Sequence, residues 1–325
     1  MPTPAILPPM NSALLAQLDR LKVQGLAAPD VTTLEISLAR LQLAKQYQVL
    51  NEEVDSVYQV RDITFQFEGE DVITRLYYPT KEDLQTNTMI IYLHGGGWSF
   101  GDYQTHDGIS RSFAHLSNIP VATISYALAP EKKFPYQHRQ ITYVIEQLIQ
   151  ILQQQNSSAP PQLIFLGDSA GANLALSIWQ NYLSTQLQSY FAGMVLFYGV
   201  YTSGMQTYSW QTIGDGRYGL SSTAMQWYWS AFLETSEQIN QASPVLANLN
   251  NLPPIWLMVG DLDPLIDDTT QLAHQLQVAK VKHACHILSG YPHGFLRFCN
   301  QLPAIRDVIM QAGKNAQQML KGTFI

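Results

Sequence analysis

The chain has 325 residues, 46% hydrophobic and 13% charged, which is enough for one large α/β domain with an elaboration and a well-buried core. A formal net charge of −7 with no Lys/Arg block excludes the basic stripe of a nucleic-acid-binding protein. Two cysteines, Cys285 and Cys299, exclude a disulfide framework and a Cys-rich zinc site, and no apolar run reaches the roughly 18 residues of a membrane span, so a soluble, cytoplasmic chain is expected.

Residues 1–10 are Pro-rich, with no basic residue ahead of an apolar core, and do not read as a secretory signal. Leu, Ala and Ile recur at helical spacing over 11–26 and 31–50, broken by Ala28-Pro29-Asp30, which predicts two helices before any strand. Residues 57–67 and 72–78 alternate apolar with polar around Gly69, predicting an antiparallel hairpin. Short apolar runs then follow at 89–93, 121–125, 163–166, 194–198, 255–259 and 286–288. Helix-length stretches at 107–116, 140–153, 172–183 and 267–279 lie between them. This alternation predicts a mainly parallel central sheet with helices on both faces. Between residues 198 and 255 the rhythm breaks into an aromatic-rich insertion (Tyr201, Trp210 and Trp227 among others) without a convincing strand, a length that suggests a lid or cap.

Gly167-Asp168-Ser169-Ala170-Gly171 joins the run 163–166 to an apolar-periodic stretch. In a strand–turn–helix setting, this Gly-x-Ser-x-Gly predicts a sharp turn that exposes a serine hydroxyl and leaves the Ala170 N–H at a helix N-terminus. The flanking glycines remove Cβ atoms where neighbouring backbone must pass. A serine hydroxyl needs a base, and His293, in a Pro- and Gly-containing loop just past the last strand, is the best placed of eight histidines. A carboxylate must orient that imidazole. Asp263, directly after the strand at 255–259, gives the order Ser169, Asp263, His293, with Asp261 a close competitor. Asp267 and Asp268 read instead as first-turn helix acids. His94-Gly95-Gly96-Gly97-Trp98 follows the strand at 89–93, where consecutive glycines let backbone N–H groups approach a developing oxyanion.

Two other patterns do not hold up. Gly214-Asp215-Gly216-Arg217-Tyr218-Gly219 fits Gly-x-Gly-x-x-Gly but follows no strand. His283, Cys285 and His286 fall on a probable strand with the first two facing away from the third, and no HExxH pair accompanies them.

With Ser169, Asp263, His293 and 94–98 assembled, the chain resembles the hormone-sensitive-lipase family of α/β hydrolases, most closely bacterial acetyl-esterase-type carboxylesterases. Further matching stretches are Gly101-Asp102-Tyr103, Tyr126-Ala127-Leu128-Ala129-Pro130-Glu131, Asp263-Pro264-Leu265-Ile266-Asp267 and His293-Gly294-Phe295. The resemblance spans roughly 85–300; Ala127 and Ala172 depart from it where Arg and Gly are common. It implies an α/β-hydrolase fold with Ser169 as nucleophile, His293 as base and Asp263 as acid, and Gly96, Gly97 and Ala170 as oxyanion donors. It also implies a helical cap built from residues 1–50 and 201–240 over a core of 51–200 and 241–325. The expected activity is hydrolysis of short-chain, small-molecule acyl esters by a serine carboxylesterase through an acyl-enzyme, without cofactor or metal and without nucleic-acid or membrane partners. Association of two subunits through their caps stays open. Trp98, Tyr201 and Trp210 are expected to line the substrate pocket. The alternative is a non-catalytic small-molecule receptor on the same scaffold; such receptors characteristically lose the histidine that His293 supplies here.

Overall fold

The computed structural model describes residues 7–156 and 158–325, so the Pro-rich stretch 1–10 lies partly outside the described residues. Two helices come first, α1 (Ser12–Val23) and α2 (Ile36–Leu50). Both start later than their periodicity suggests, because polar side chains cap them. The Asn11 carboxamide accepts the N–H groups of Ala13 and Leu14 at 3.1 Å, and Glu35 accepts those of Ser37 and Leu38. Asp30 holds residues 30–34 in a turn instead, accepting from the Thr32 N–H at 2.9 Å.

Strands β1 (Gln59–Phe67) and β2 (Glu70–Tyr78) form the expected hairpin. Its two-residue turn places Glu68 at φ 50° and Gly69 at φ 83°, the double left-handed geometry that suits strand twist. The chain continues through β3 (Thr88–Leu93), α3 (Asp107–Ser117), β4 (Val121–Ile124), α4 (Tyr136–Gln155), β5 (Gln162–Asp168), α5 (Ala170–Asn181), the single turn α6 (Thr185–Gln188) and β6 (Phe191–Phe197). Two helices, α7 (Tyr208–Ile213) and α8 (Ser222–Phe232), occupy the aromatic insertion. Then come β7 (Ile255–Gly260), α9 (Ile266–Val278), β8 (His283–Leu288) and the C-terminal α10 (Pro303–Leu320). Strand β8 begins three residues before its apolar run, because His283 pairs with Ile255.

The eight strands form one sheet in the order β1-β2-β4-β3-β5-β6-β7-β8, with β2 antiparallel to both neighbours and every other pair parallel. Alternation along each strand divides the core between two faces. Ile90 and Tyr92 of β3 pack with α1, α3 and α10, whereas Met89, Ile91 and Leu93 pack with α4 and α5. Strands buried on both faces read as the continuous apolar runs seen in the sequence. The carboxyl ends of β3, β5, β7 and β8 lie along one edge, and each is followed by a loop carrying chemistry. No helix among the described residues is long and apolar enough to cross a membrane.

Candidate active site

Ser169 stands between β5 and α5 at φ 54°, ψ −119°, a conformation disfavoured for a side chain with a Cβ. The surrounding packing holds it there. The Ser169 N–H donates to the Phe197 carbonyl at 2.9 Å, and a Cβ on Gly167 would stand 2.6 Å from the Gly171 carbonyl oxygen. A Cβ on Gly171 would overlap the Leu93 carbonyl at the end of β3. The two glycines are therefore required by backbone approach as well as by turn geometry.

His293 comes from the loop after β8. Its Nε2 lies 2.9 Å from Ser169 Oγ and its Nδ1 lies 2.8 Å from Asp263 Oδ2. Asp263 is wholly buried after β7, and its other oxygen accepts the Leu265 N–H at 2.9 Å. An ionised carboxylate can only accept, so the Nδ1 proton belongs to the Asp263 bond and Nε2 is free to accept from the serine hydroxyl. That tautomer leaves Ser169 facing a base. Asp261 is turned elsewhere, accepting the Gly290 N–H at 2.7 Å and fixing the loop that carries His293. Asp267 and Asp268 lie in the first turn of α9 as expected; they also accept the N–H groups of Ser209 (2.8 Å) and Thr202 (3.3 Å), tying the insertion to the sheet.

The glycine loop after β3 reaches the same place. Gly96 and Gly97 adopt φ 117° and 57°, and both border a cavity that also contains Ser169 and His293. The backbone N–H groups of Gly96, Gly97 and Ala170 have no acceptor among the described residues. Asp168 braces this loop. Its Oδ1 accepts the Gly95 N–H and the Tyr92 hydroxyl, each at 2.8 Å, and its Oδ2 accepts the Tyr198 hydroxyl at 3.3 Å. Burial pushes the Asp168 carboxyl up while its three donors pull it down. The His94 ring stacks on Tyr126 at 4.2 Å, and burial holds its pKa down to about 4, so it stays neutral beneath the glycine loop.

The cavity above Ser169 has a volume of about 180 Å³. One wall comes from residues 28–47, including Val31, Leu43 and Tyr47, and another from residues 219–228, including Leu220, Met225 and Tyr228. Arg297, four residues past His293, completes it. The three expected pocket residues are a correction, because none of them lines the cavity. Trp98 is fully buried, stacked on Phe232 at 4.3 Å with Trp229 at 4.7 Å, and the Tyr228 ring occupies the space over Gly97 instead. Tyr201 folds back over Gly199, and Trp210 packs against Gly214, so both spend their apolar area in the core. Two other contributors were missed. Asp168 was signalled by a lone acid at the end of an apolar strand. Tyr47 sits on a helix whose periodicity does not say which face will meet a cavity.

His283 and His286 lie on the edge strand β8, where His283 Nδ1 contacts the Val281 carbonyl at 2.9 Å. Among the described residues no group of three or more His, Cys, Asp or Glu is placed to hold a metal ion.

Comparison with known proteins agrees with this architecture. The profile of a family described as having the α/β hydrolase fold matches residues 90–297. An acetyl esterase of Salmonella typhi is 31% identical over 251 residues, covering 75% of each chain. Among solved structures, a hyperthermophilic esterase from Pyrobaculum calidifontis superposes with a TM-score of 0.86 at 27% identity, covering 96% of this chain and 99% of its own. A thermostable carboxylesterase cloned from a metagenomic library superposes with a TM-score of 0.82, also at 27% identity, covering 89% and 99%. The strained turn at Ser169, strand order and relatives converge, and the chain belongs to the α/β hydrolase fold family, in its hormone-sensitive-lipase branch.

Proposed function

We propose that the protein is a carboxylic ester hydrolase working through a serine acyl-enzyme on short-chain esters. The observation that carries this reading is the unbroken hydrogen-bonded path from Ser169 through His293 to Asp263, ending in a cavity. In the first step Ser169 Oγ attacks the ester carbonyl carbon while its proton passes to His293 Nε2. The negative charge collects on the former carbonyl oxygen, beside the unoccupied N–H groups of Gly96, Gly97 and Ala170. Asp263 stabilises the imidazolium, which returns its proton to the departing alcohol. Water, deprotonated by the same ring, then cleaves the acyl-enzyme and frees the acid.

The 180 Å³ cavity, closed by Leu43, Leu220 and Met225, supports a preference for small acyl groups. Residues 1–50 and 201–240 serve in this reading as a cap over a core of 51–200 and 241–325, since both regions supply walls to the cavity. The two free thiols accord with a reducing, cytoplasmic setting. The test is labelling with a fluorophosphonate probe, together with rates on 4-nitrophenyl acetate, butyrate, octanoate and palmitate. Wild-type protein labels and Ser169→Ala does not; the acetate or butyrate is turned over fastest. Labelling that survives in Ser169→Ala, or a preference for palmitate, overturns the corresponding part of the reading.

A further inference from the structure

We propose that the substrate carries an anionic group, a carboxylate or a comparable oxyanion, and that Arg297 binds it. The proposal rests on the ester-hydrolase reading and narrows its substrate class. Arg297 borders the same cavity as Ser169 and His293. Five arginines of the chain are half-buried, and four of them have a carboxylate within salt-bridge distance: Arg40 with Glu131, Arg75 with Asp62 and Asp107, Arg111 with Asp107, and Arg306 with Asp55. Arg297 is the exception among the described residues. Its guanidinium lies 5.0 Å from the centre of the Phe298 ring but has no carboxylate and no hydrogen-bond acceptor, and its Nε is enclosed without a polar partner.

A guanidinium partly withdrawn from water and left unpaired costs stability unless something supplies the missing acceptor. The cavity wall supplies no free carboxylate. Its one carboxylate, Asp168, is already engaged by Tyr92, Gly95 and Tyr198. The phenolic oxygens of Tyr47 and Tyr228, which can donate or accept, also make no hydrogen bond among the described residues, and neither carries a negative charge to balance the guanidinium. The surplus beside the reacting serine is therefore one of positive charge, a single guanidinium with no free carboxylate to meet it. A neutral acyl chain fills the apolar side of the cavity and leaves this surplus untouched. A carboxylate, presenting two coplanar oxygens, matches the guanidinium fork and satisfies it.

The experiment uses matched ester pairs with wild-type protein and Arg297→Gln. On the acyl side the pair is 4-nitrophenyl hydrogen glutarate and 4-nitrophenyl valerate. On the alcohol side it is 4-acetoxybenzoate and 4-methylphenyl acetate, with 4-acetoxybenzenesulfonate separating carboxylate recognition from that of any oxyanion. The expected result is a fall of about tenfold or more in the charged-to-neutral ratio of kcat/KM for at least one pair. An unchanged charged-to-neutral ratio in both pairs overturns the proposal. If Arg297→Gln does not fold, inhibition of 4-nitrophenyl butyrate hydrolysis by glutarate and by its neutral diamide decides on the wild-type enzyme. Tighter inhibition by the dianion supports Arg297 as a receptor for charge, and equal inhibition refutes it. Failure of the underlying reading looks different: no neutral ester is turned over, and the probe does not label Ser169.

Discussion

Replacing Asp168 tests whether a buried carboxylate holds the glycine loop beside Ser169, the proposed nucleophile. In Asp168→Ala, the Tyr92 hydroxyl, the Tyr198 hydroxyl and the Gly95 N–H all lose their acceptor inside a dry core. Each orphaned donor costs about 1–3 kcal/mol, with the 3.3 Å Tyr198 contact at the weak end. Relief from burying a carboxylate offsets part of the sum, leaving a net loss of about 2–5 kcal/mol. Asp168→Asn keeps one carbonyl oxygen for Tyr92 and Gly95 and should cost about 1 kcal/mol. Because Gly95 adjoins Gly96 and Gly97, freeing its N–H should lower kcat by about 10–100-fold with little change in KM, the pattern of a weakened oxyanion site. Urea unfolding with an unchanged m-value gives the stability difference, and steady-state hydrolysis of 4-nitrophenyl acetate gives the split between kcat and KM. An alanine variant that is destabilised yet retains wild-type kcat would refute the positioning role. An asparagine variant as damaged as the alanine would refute the counting of acceptors.

Three further outcomes follow from packing and burial. Gly171→Ala must displace the Leu93 carbonyl and should lose about 100-fold or more in activity, whereas Gly69→Ala strains only an open turn and should cost about 1 kcal/mol without touching turnover; equal effects would show that local strain alone matters. Burial holds the pKa of His94 down to about 4 and that of His138 down to about 3, so their stabilising contribution is complete above the unfolded value near 6.5 and is lost as pH falls through the folded values. Each ring should cost about 2 kcal/mol between pH 6.5 and 5, and His138→Gln should flatten the slope of denaturation free energy by that amount, against the opposite contribution of Asp168; an unchanged slope contradicts neutral burial. Arg40→Ala removes bonds to the Ser99 and Ala129 carbonyls (2.9 Å each) and to both Glu131 oxygens, and should raise KM several-fold at a stability cost of about 1–3 kcal/mol, measured by kinetics and melting; an unchanged KM detaches α2 from substrate binding.

The parts of this fold legible in the sequence are those dictated by short-range chemistry. Strands buried on both faces announce themselves as unbroken apolar runs, and Gly167 and Gly171 mark a turn no larger residue can make. Chain order and strand ends narrow the acid to Asp263 or Asp261, and the geometry separates them, bringing Asp263 to His293 while Asp261 fastens the neighbouring loop. Helix starts were less legible, because Asn11 and Glu35 act through side-chain bonds that compete with periodicity. Helix α10 passed unnoticed, being a final amphipathic segment with no strand after it to complete the alternation. The pocket was least legible. An aromatic ring in an insertion can face a ligand or the core, and for Trp98, Tyr201 and Trp210 the choice was made by Phe232, Gly199 and Gly214, none of which is visible as a partner in one dimension.

The two walls of the cavity are fastened by unlike forces. Helix α2 hangs on the Arg40–Glu131 pair, whose acidic partner is 55% exposed, while α8 is riveted by the stacking of Trp98 on Phe232, with no exposure at either ring. Dissolved salt weakens the first attachment and tightens the second, whereas an alcohol at low ionic strength acts in the reverse sense. The two walls of one cavity therefore answer the same change in the surrounding fluid in opposite directions.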